Sequence, residues 1–199
     1  DPQPRARVNH CAVALADRTM VIFGGNQGYG AGHMNDVWRL TTSTDGATAS
    51  WKELLIPLGG NAPIARNNPR AVTLSDGSIV VFGGNKPSGG HFNDVWHLTT
   101  ADARASWEEL TVEVGGAQPP GRGGFVAALL YEDTMIIFSG GNADSLTQMN
   151  DLWRLRGFST PNCPAGTFWS FGDAACVECS VCLRSDGACA KHCHTTLAF

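Results

Sequence analysis

Six of the seven cysteines stand close together near the end of the chain, at Cys163, Cys176, Cys179, Cys182, Cys189 and Cys193. Thiols at this density support two chemistries. The run Cys176-x2-Cys179-x2-Cys182, with His192, Cys193 and His194 nearby, offers the thiolate and imidazole donors that zinc takes. Zinc hooks usually come as two separated pairs, however, and this run has three cysteines at equal spacing. A segment of roughly 40 residues also buries too little apolar surface to fold without a covalent or metal staple. The even count therefore predicts three disulfides, with a connectivity that spacing alone leaves open, and no bound metal. Disulfides imply an oxidising compartment, so the expected location is extracellular or cell-surface, by way of the secretory pathway. Cys11 stands apart in an apolar stretch and is expected to be a small buried core residue.

Other reactive side chains form no recognisable constellation. There is no Ser/His/Asp pattern, no glycine loop opening a helix to cradle phosphate, and no carboxylate pair outside the repeats described next. His33 and His91 occupy the same offset before Asn-Asp, but the third corresponding position is Gln148, which predicts loop hydrogen bonding instead of catalysis. No cofactor or catalytic residue is expected. Fourteen basic against 18 acidic residues give a formal net charge of −4 without a run of Lys or Arg, which argues against a nucleic-acid partner. The longest apolar stretches fall far short of the ~18 residues of a membrane span, and the sequence holds no Asn-x-Ser/Thr acceptor.

The elements that must position these residues are written as a repeat. Arg7, Arg66 and Arg122 are each followed 16 residues later by Phe23, Phe82 and Phe138. Each Phe leads into a glycine pair and an Asn, read as Gly24-Gly25-Asn26, Gly83-Gly84-Asn85 and Gly140-Gly141-Asn142. Asp36-Val37-Trp38, Asp94-Val95-Trp96 and Asp151-Leu152-Trp153 follow, each after an Asn. Trp51 and Trp107 close the first two units, and the third has no counterpart. The runs before each Phe, such as Ile79-Val80-Val81, are apolar and β-branched, so they read as strands buried on both faces. In unit one the strands are predicted near 8–15, 20–24, 36–40 and 51–54, with the glycine pair ending the second. Corresponding strands are expected in the next units.

This punctuation resembles the kelch repeat family of β-propellers, over roughly residues 4–156. The resemblance implies an all-β fold, a partial kelch-type propeller of about three four-stranded blades spanning residues 1–157, followed by a small disulfide-rich module at 158–199. It also implies structural roles for the recurring Arg, Gly, Asp and Trp residues. Propellers close with about 4–8 blades, so further blades are expected from sequence outside these residues or from another subunit. Some kelch-like propellers resemble galactose oxidase, whose copper site needs a crosslinked Tyr and further Tyr and His ligands. Tyr29 and Tyr131 are the only tyrosines here, so no such site is expected and the chain reads as a non-enzyme. The stretch Cys163-Pro164-Ala165-Gly166-Thr167-Phe168, with Cys176 and Cys179, resembles the cysteine-rich extracellular repeats of EGF-like and ephrin-receptor-type modules.

Together these readings predict an extracellular binding or adhesion module whose loops at 27–33, 86–91 and 143–148 take a protein or glycan partner. The alternative is a structural glycoprotein of an extracellular fibre or surface array, cell-wall or ciliary. An intracellular kelch adaptor fits the cysteine cluster less well.

Overall fold

The computed structural model describes residues 2–28, 32–112, 118–131, 133–142, 147–158, 167–170, 175–178 and 196–197. Unit one is an antiparallel sheet of β1 (Cys11–Ala14), β2 (Thr19–Phe23), β3 (Val37–Thr42) and β4 (Ala49–Glu53), paired in sequence order. Unit two repeats it with β5 (Arg70–Thr73), β6 (Ile79–Asn85), β7 (His91–Ala101) and β8 (Arg104–Val112). The third sheet has three strands, β9 (Val126–Leu129), β10 (Met135–Asn142) and β11 (Thr147–Leu155), with β11 at its edge. β12 (Thr167–Ser170) and β13 (Ala175–Glu178) form a hairpin, and β14 (Thr196–Leu197) adds to β8 in parallel.

Three expectations need correction. The first strand of unit one is shorter than 8–15, because Asn9 adopts φ 58° and leaves Val8 with an isolated bridge to Asn26. Left-handed residues follow the other two repeat arginines at the same offset, Asn68 at φ 52° and Gly124 at φ 66°, and β5 and β9 start late for the same reason. Next, the glycines end the strand only in unit one. In units two and three β6 and β10 continue through them by a bulge, where the register shifts between Phe82 and Gly84 and between Phe138 and Gly140. Finally, the glycine pair of unit three is displaced by one residue. The positive-φ pairs are Gly24 and Gly25, Gly83 and Gly84, but Ser139 and Gly140, so Gly141 stands where Asn26 and Asn85 stand.

β6 is buried on both faces because blades stack on each other, whereas β10 buries Met135 and Ile137 and leaves Phe138 47% exposed. Between blades one and two, Val21, Phe23 and Val37 meet Ile79, Val81, Trp96, Leu98 and Trp107. Trp107 sits 4.8 Å from the Phe23 ring and 6.4 Å from Trp96, the latter edge-on. Between blades two and three, Val80, Phe82 and Val95 meet Met135, Ile137, Leu155 and Phe158. Phe158, expected to open the cysteine-rich module, thus belongs to the blade core, and it supplies an aromatic ring there as Trp107 does at the other junction. Cys11 is buried, free and placed with its Sγ 3.5 Å from the Phe23 carbonyl oxygen, and burial pushes its thiol up to about 12. Of the other cysteines, Cys176 lies on β13; Cys163, Cys179, Cys182, Cys189 and Cys193, and with them the three expected disulfides, lie outside the described residues.

A polar cavity at the glycine end of the blades

The end of each sheet is held by one repeated cluster. Arg66, with no exposed surface, forks onto Asp94 at 2.6 and 2.8 Å and donates a further bond of 3.0 Å to the Gly83 carbonyl. The Trp96 indole N–H donates 2.7 Å to the same carboxylate. Arg7 does the same with Asp36, Gly24 and Trp38, and Arg122 with Asp151, Ser139 and Trp153. A buried guanidinium is stable only when its donors are matched, and the bidentate carboxylate does that. These residues lock the loop before each blade to its glycine turn and to its third strand. Arg66 also lies with its guanidinium 4.0 Å from the centre of the Phe92 ring.

The glycine turns bring backbone segments close enough to exclude a side chain. A Cβ on Gly84 would stand 2.8 Å from the Asn67 carbonyl oxygen, and one on Gly25 2.8 Å from that of Val8. Asn67 and Val8 open the loops that follow the repeat arginines, so close approach there sets a line of amides beside one another. The Asn85 side-chain amide donates 2.6 Å to Asn67 Oδ1, and Asn67 Nδ2 lies 2.9 Å from His33 Nε2. His33 and His91 sit opposite Asn26 and Asn85 in the pairing.

Between blades one and two these residues surround a cavity of about 590 Å³ lined by Asn9, Asn26, His33, Asn67, Asn68 and Asn85, with Val8, Gly28, Gly32 and Pro87 at its border. Among the described residues of its wall there is no carboxylate, lysine or arginine. Carboxamides offer both donors and acceptors without charge, which suits the peptide groups of a protein loop or the hydroxyls of a sugar. Beside it His10 is held below the usual histidine range by burial and then by the charge of Arg7. Among the described residues no three His, Cys, Asp or Glu side chains gather as a metal site. Tyr131 is 72% exposed, and Tyr29 lies outside the described residues.

Of the three loops expected to display contacts, the first two meet at this cavity through His33 and Pro87. Residues 143–146 of the third lie outside the described residues. Asn9, Asn67 and Asn68 were not singled out by the repeat pattern. For Asn9 and Asn68 the signal is the Arg-x-Asn spacing shared by Arg7 and Arg66, which places a residue tolerant of positive φ two positions after the buried arginine.

Stacked antiparallel sheets, each closed by an Arg-Asp-Trp cluster, define a β-propeller segment. Residues 1–159 match the KLHDC2/KLHL20/DRC7 kelch-repeats domain, and the chain belongs to that kelch family. It is 32% identical over 122 residues to the dynein alpha chain of the flagellar outer arm of Chlamydomonas reinhardtii, covering 61% of this chain and 2% of that protein. It is 35% identical over 109 residues to the human multiple epidermal growth factor-like domains protein 8, covering 54% of this chain and 4% of the relative. The fold is also that of a fungal alcohol oxidase of the AA5 family solved with copper, at 20% identity and TM-score 0.53, covering 69% of this chain and 28% of that one. The chain thus spans a small part of the curated relatives it matches. Kelch repeats make it a protein-interaction domain, and no helix of the described residues is long and apolar enough to cross a membrane.

Proposed function

We propose that the chain is a non-enzymatic binding module that works outside the cell, taking a protein or glycan partner on the loops around the amide-lined cavity. The observation that carries this reading is the cavity itself: adaptable amides on loops whose bases are clamped by buried Arg-Asp pairs. A rigid base with variable loops is how propellers and sandwiches present contacts. The extracellular part rests on the cysteine cluster, and the likeness to a relative named for epidermal growth factor-like domains supports a kelch segment beside such a module. Two measurements test it. Unreduced peptide mapping of the purified chain should show three disulfides among Cys163, Cys176, Cys179, Cys182, Cys189 and Cys193, with Cys11 alkylated only after unfolding; six free thiols or a stoichiometric zinc would move the protein to a reducing compartment. Crosslinking of the parent protein to its neighbours should place contacts near His33, Asn68 and Pro87, and an Asn68→Asp, His33→Ala variant should lose them. Retention of every contact in that variant would remove the cavity from the binding site.

A second reading, a structural subunit of an extracellular fibre or surface array, is favoured by one feature. Blade three leaves an apolar sheet face open, with Val126 and Leu152 each 61% exposed and Phe138 47% exposed.

A further inference from the structure

The asparagines around the cavity are not required by the blade. All three units keep the Arg-Asp pair, yet Asn67, Asn68 and Asn85 correspond to Gly123, Gly124 and Gly141 one repeat further on. A Cβ on Gly123 would run into Asn85 Oδ1, so an asparagine has no room there. The amide wall is thus built between blades one and two and, among the described residues, is not built again between blades two and three. Side chains that change from repeat to repeat on a constant clamp are the ones a scaffold can give to a ligand.

Hydrogen bonds within the wall leave two polar atoms over. The Asn85 amide donates to Asn67 Oδ1, and the Asn67 amide then donates to His33 Nε2. His33 Nε2 is therefore an acceptor, which puts the ring N–H on Nδ1. That nitrogen is buried without a hydrogen-bond partner among the described residues. Asn26, only 9% exposed, donates from Nδ2 to the Gly28 carbonyl at 3.0 Å, and its Oδ1 is likewise buried without a partner among them. Asn26 and His33 face each other across an isolated antiparallel bridge and both line the cavity, so an acceptor and a donor stand side by side there. A buried polar group left unpaired is costly. A hydroxyl, which accepts and donates through one oxygen, answers both.

We infer that the cavity is a site for a neutral saccharide, with one ring hydroxyl held between His33 Nδ1 and Asn26 Oδ1. This rests on the reading of the chain as a binding module at the cavity, and it names the ligand. Arg7 and Arg66 are committed to Asp36 and Asp94, so the described wall holds no cation to balance the carboxylate of an acidic sugar. A protein loop fits less well, because such loops bind through an aromatic, aliphatic or arginine anchor sunk in a desolvated pocket. The larger apolar residues of the wall, Val8 and Pro87, stand instead at its border, Val8 at 52% exposure. The volume of about 590 Å³ lies within the ~300–1,000 Å³ of small-molecule sites and suits a short oligosaccharide. Asn9, exposed, and Asn68, half-buried, add carboxamides whose adjacent donor and acceptor match neighbouring ring hydroxyls.

The probe is a printed array of neutral and acidic glycans, incubated with the parent protein and followed by calorimetric titration of the best-bound glycan. Binding should be confined to neutral glycans. Asn26→Leu, which keeps the side-chain bulk and removes both polar atoms, should weaken it roughly tenfold or more, as expected for one to two lost buried hydrogen bonds. If Asn26→Leu fails to fold by circular dichroism, Asn68→Gly decides, since it removes a carboxamide and keeps the left-handed backbone. An array without a bound glycan overturns the proposal. So does a preference for acidic glycans, or an affinity that neither variant changes. A protein occupant is recognised separately: crosslinks at His33, Asn68 and Pro87 that survive enzymatic removal of the partner's glycans overturn the saccharide and leave the binding module standing. Absence of any crosslink at the cavity overturns both.

Discussion

At the scale of residues, the buried arginines carry the most concentrated energy in the molecule. Arg66→Ala removes a fully buried guanidinium, leaves the Asp94 carboxylate with the Trp96 indole N–H in place of the bidentate pair, and takes a donor from the Gly83 carbonyl, so it should cost about 3–5 kcal/mol. The check is the urea midpoint at unchanged slope, and a loss below ~1 kcal/mol would show that water replaces the lost donors. Asp151 adds a pH dependence. Bonds from Arg122, against the opposing effect of burial and helped by Trp153, hold its carboxyl at about 2. The unfolded carboxyl titrates near ~3.9, so this stabilisation is complete above that value and is lost as pH falls towards about 2. Since the Asp151 side chain is 35% exposed, the effect is modest. Asp151→Asn should flatten the melting temperature against pH below ~4 relative to the parent chain, and parallel curves would refute the pairing.

At the scale of elements, glycine at a turn is required by space as well as by backbone angle. Gly84 and Gly89 both have positive φ, 102° and 89°. A Cβ at Gly84 would press on Asn67 and Pro69, whereas one at Gly89 would meet nothing within 4 Å. Gly84→Ala should therefore lower the melting temperature well beyond Gly89→Ala, whose cost is the ~1 kcal/mol of a side chain in a left-handed conformation. Equal losses would show that conformation alone matters. The sequence made the strand order legible here, through apolar runs and Asn-Asp spacing. It misplaced the glycine pair of unit three, because the pair of glycine letters fell one residue after the pair of backbone positions. Ser139 fills the first of those positions at φ 63°, its hydroxyl donating 2.9 Å to the Met149 carbonyl. No propensity rule puts serine there; the bulge against β11 does.

At the scale of the whole molecule, stability should fall from the middle blade outward. β6 is covered on both sides, with Val80, Val81 and Phe82 at 0% exposure, whereas the corresponding β10 has one face open. Hydrogen exchange should find the amides of residues 80–82 the slowest, and those of residues 136–138 much faster. Equal protection of the two would mean that blade three is covered as fully as blade two. Blade two and blade three are also joined at their turns, where Asp133 accepts 2.8 and 2.6 Å bonds from the Ser75 backbone N–H and hydroxyl. That link should keep blade three attached even while its outer face exchanges.

What the sequence determined by itself was the blade: its strands, its repeat length and the Arg, Asp and Trp that recur in it, because local periodicity and short-range spacing follow from the β-strand and the turn. Tertiary structure alone decided which partners those residues meet. Arg66 and Asp94 are 28 positions apart, and their pairing depends on the glycine turn that lies between them in space. The cavity was invisible for the same reason. Asn67 belongs to the loop before one blade and His33 to a loop of another, and only the stacking of the two sheets brings their side chains within 2.9 Å.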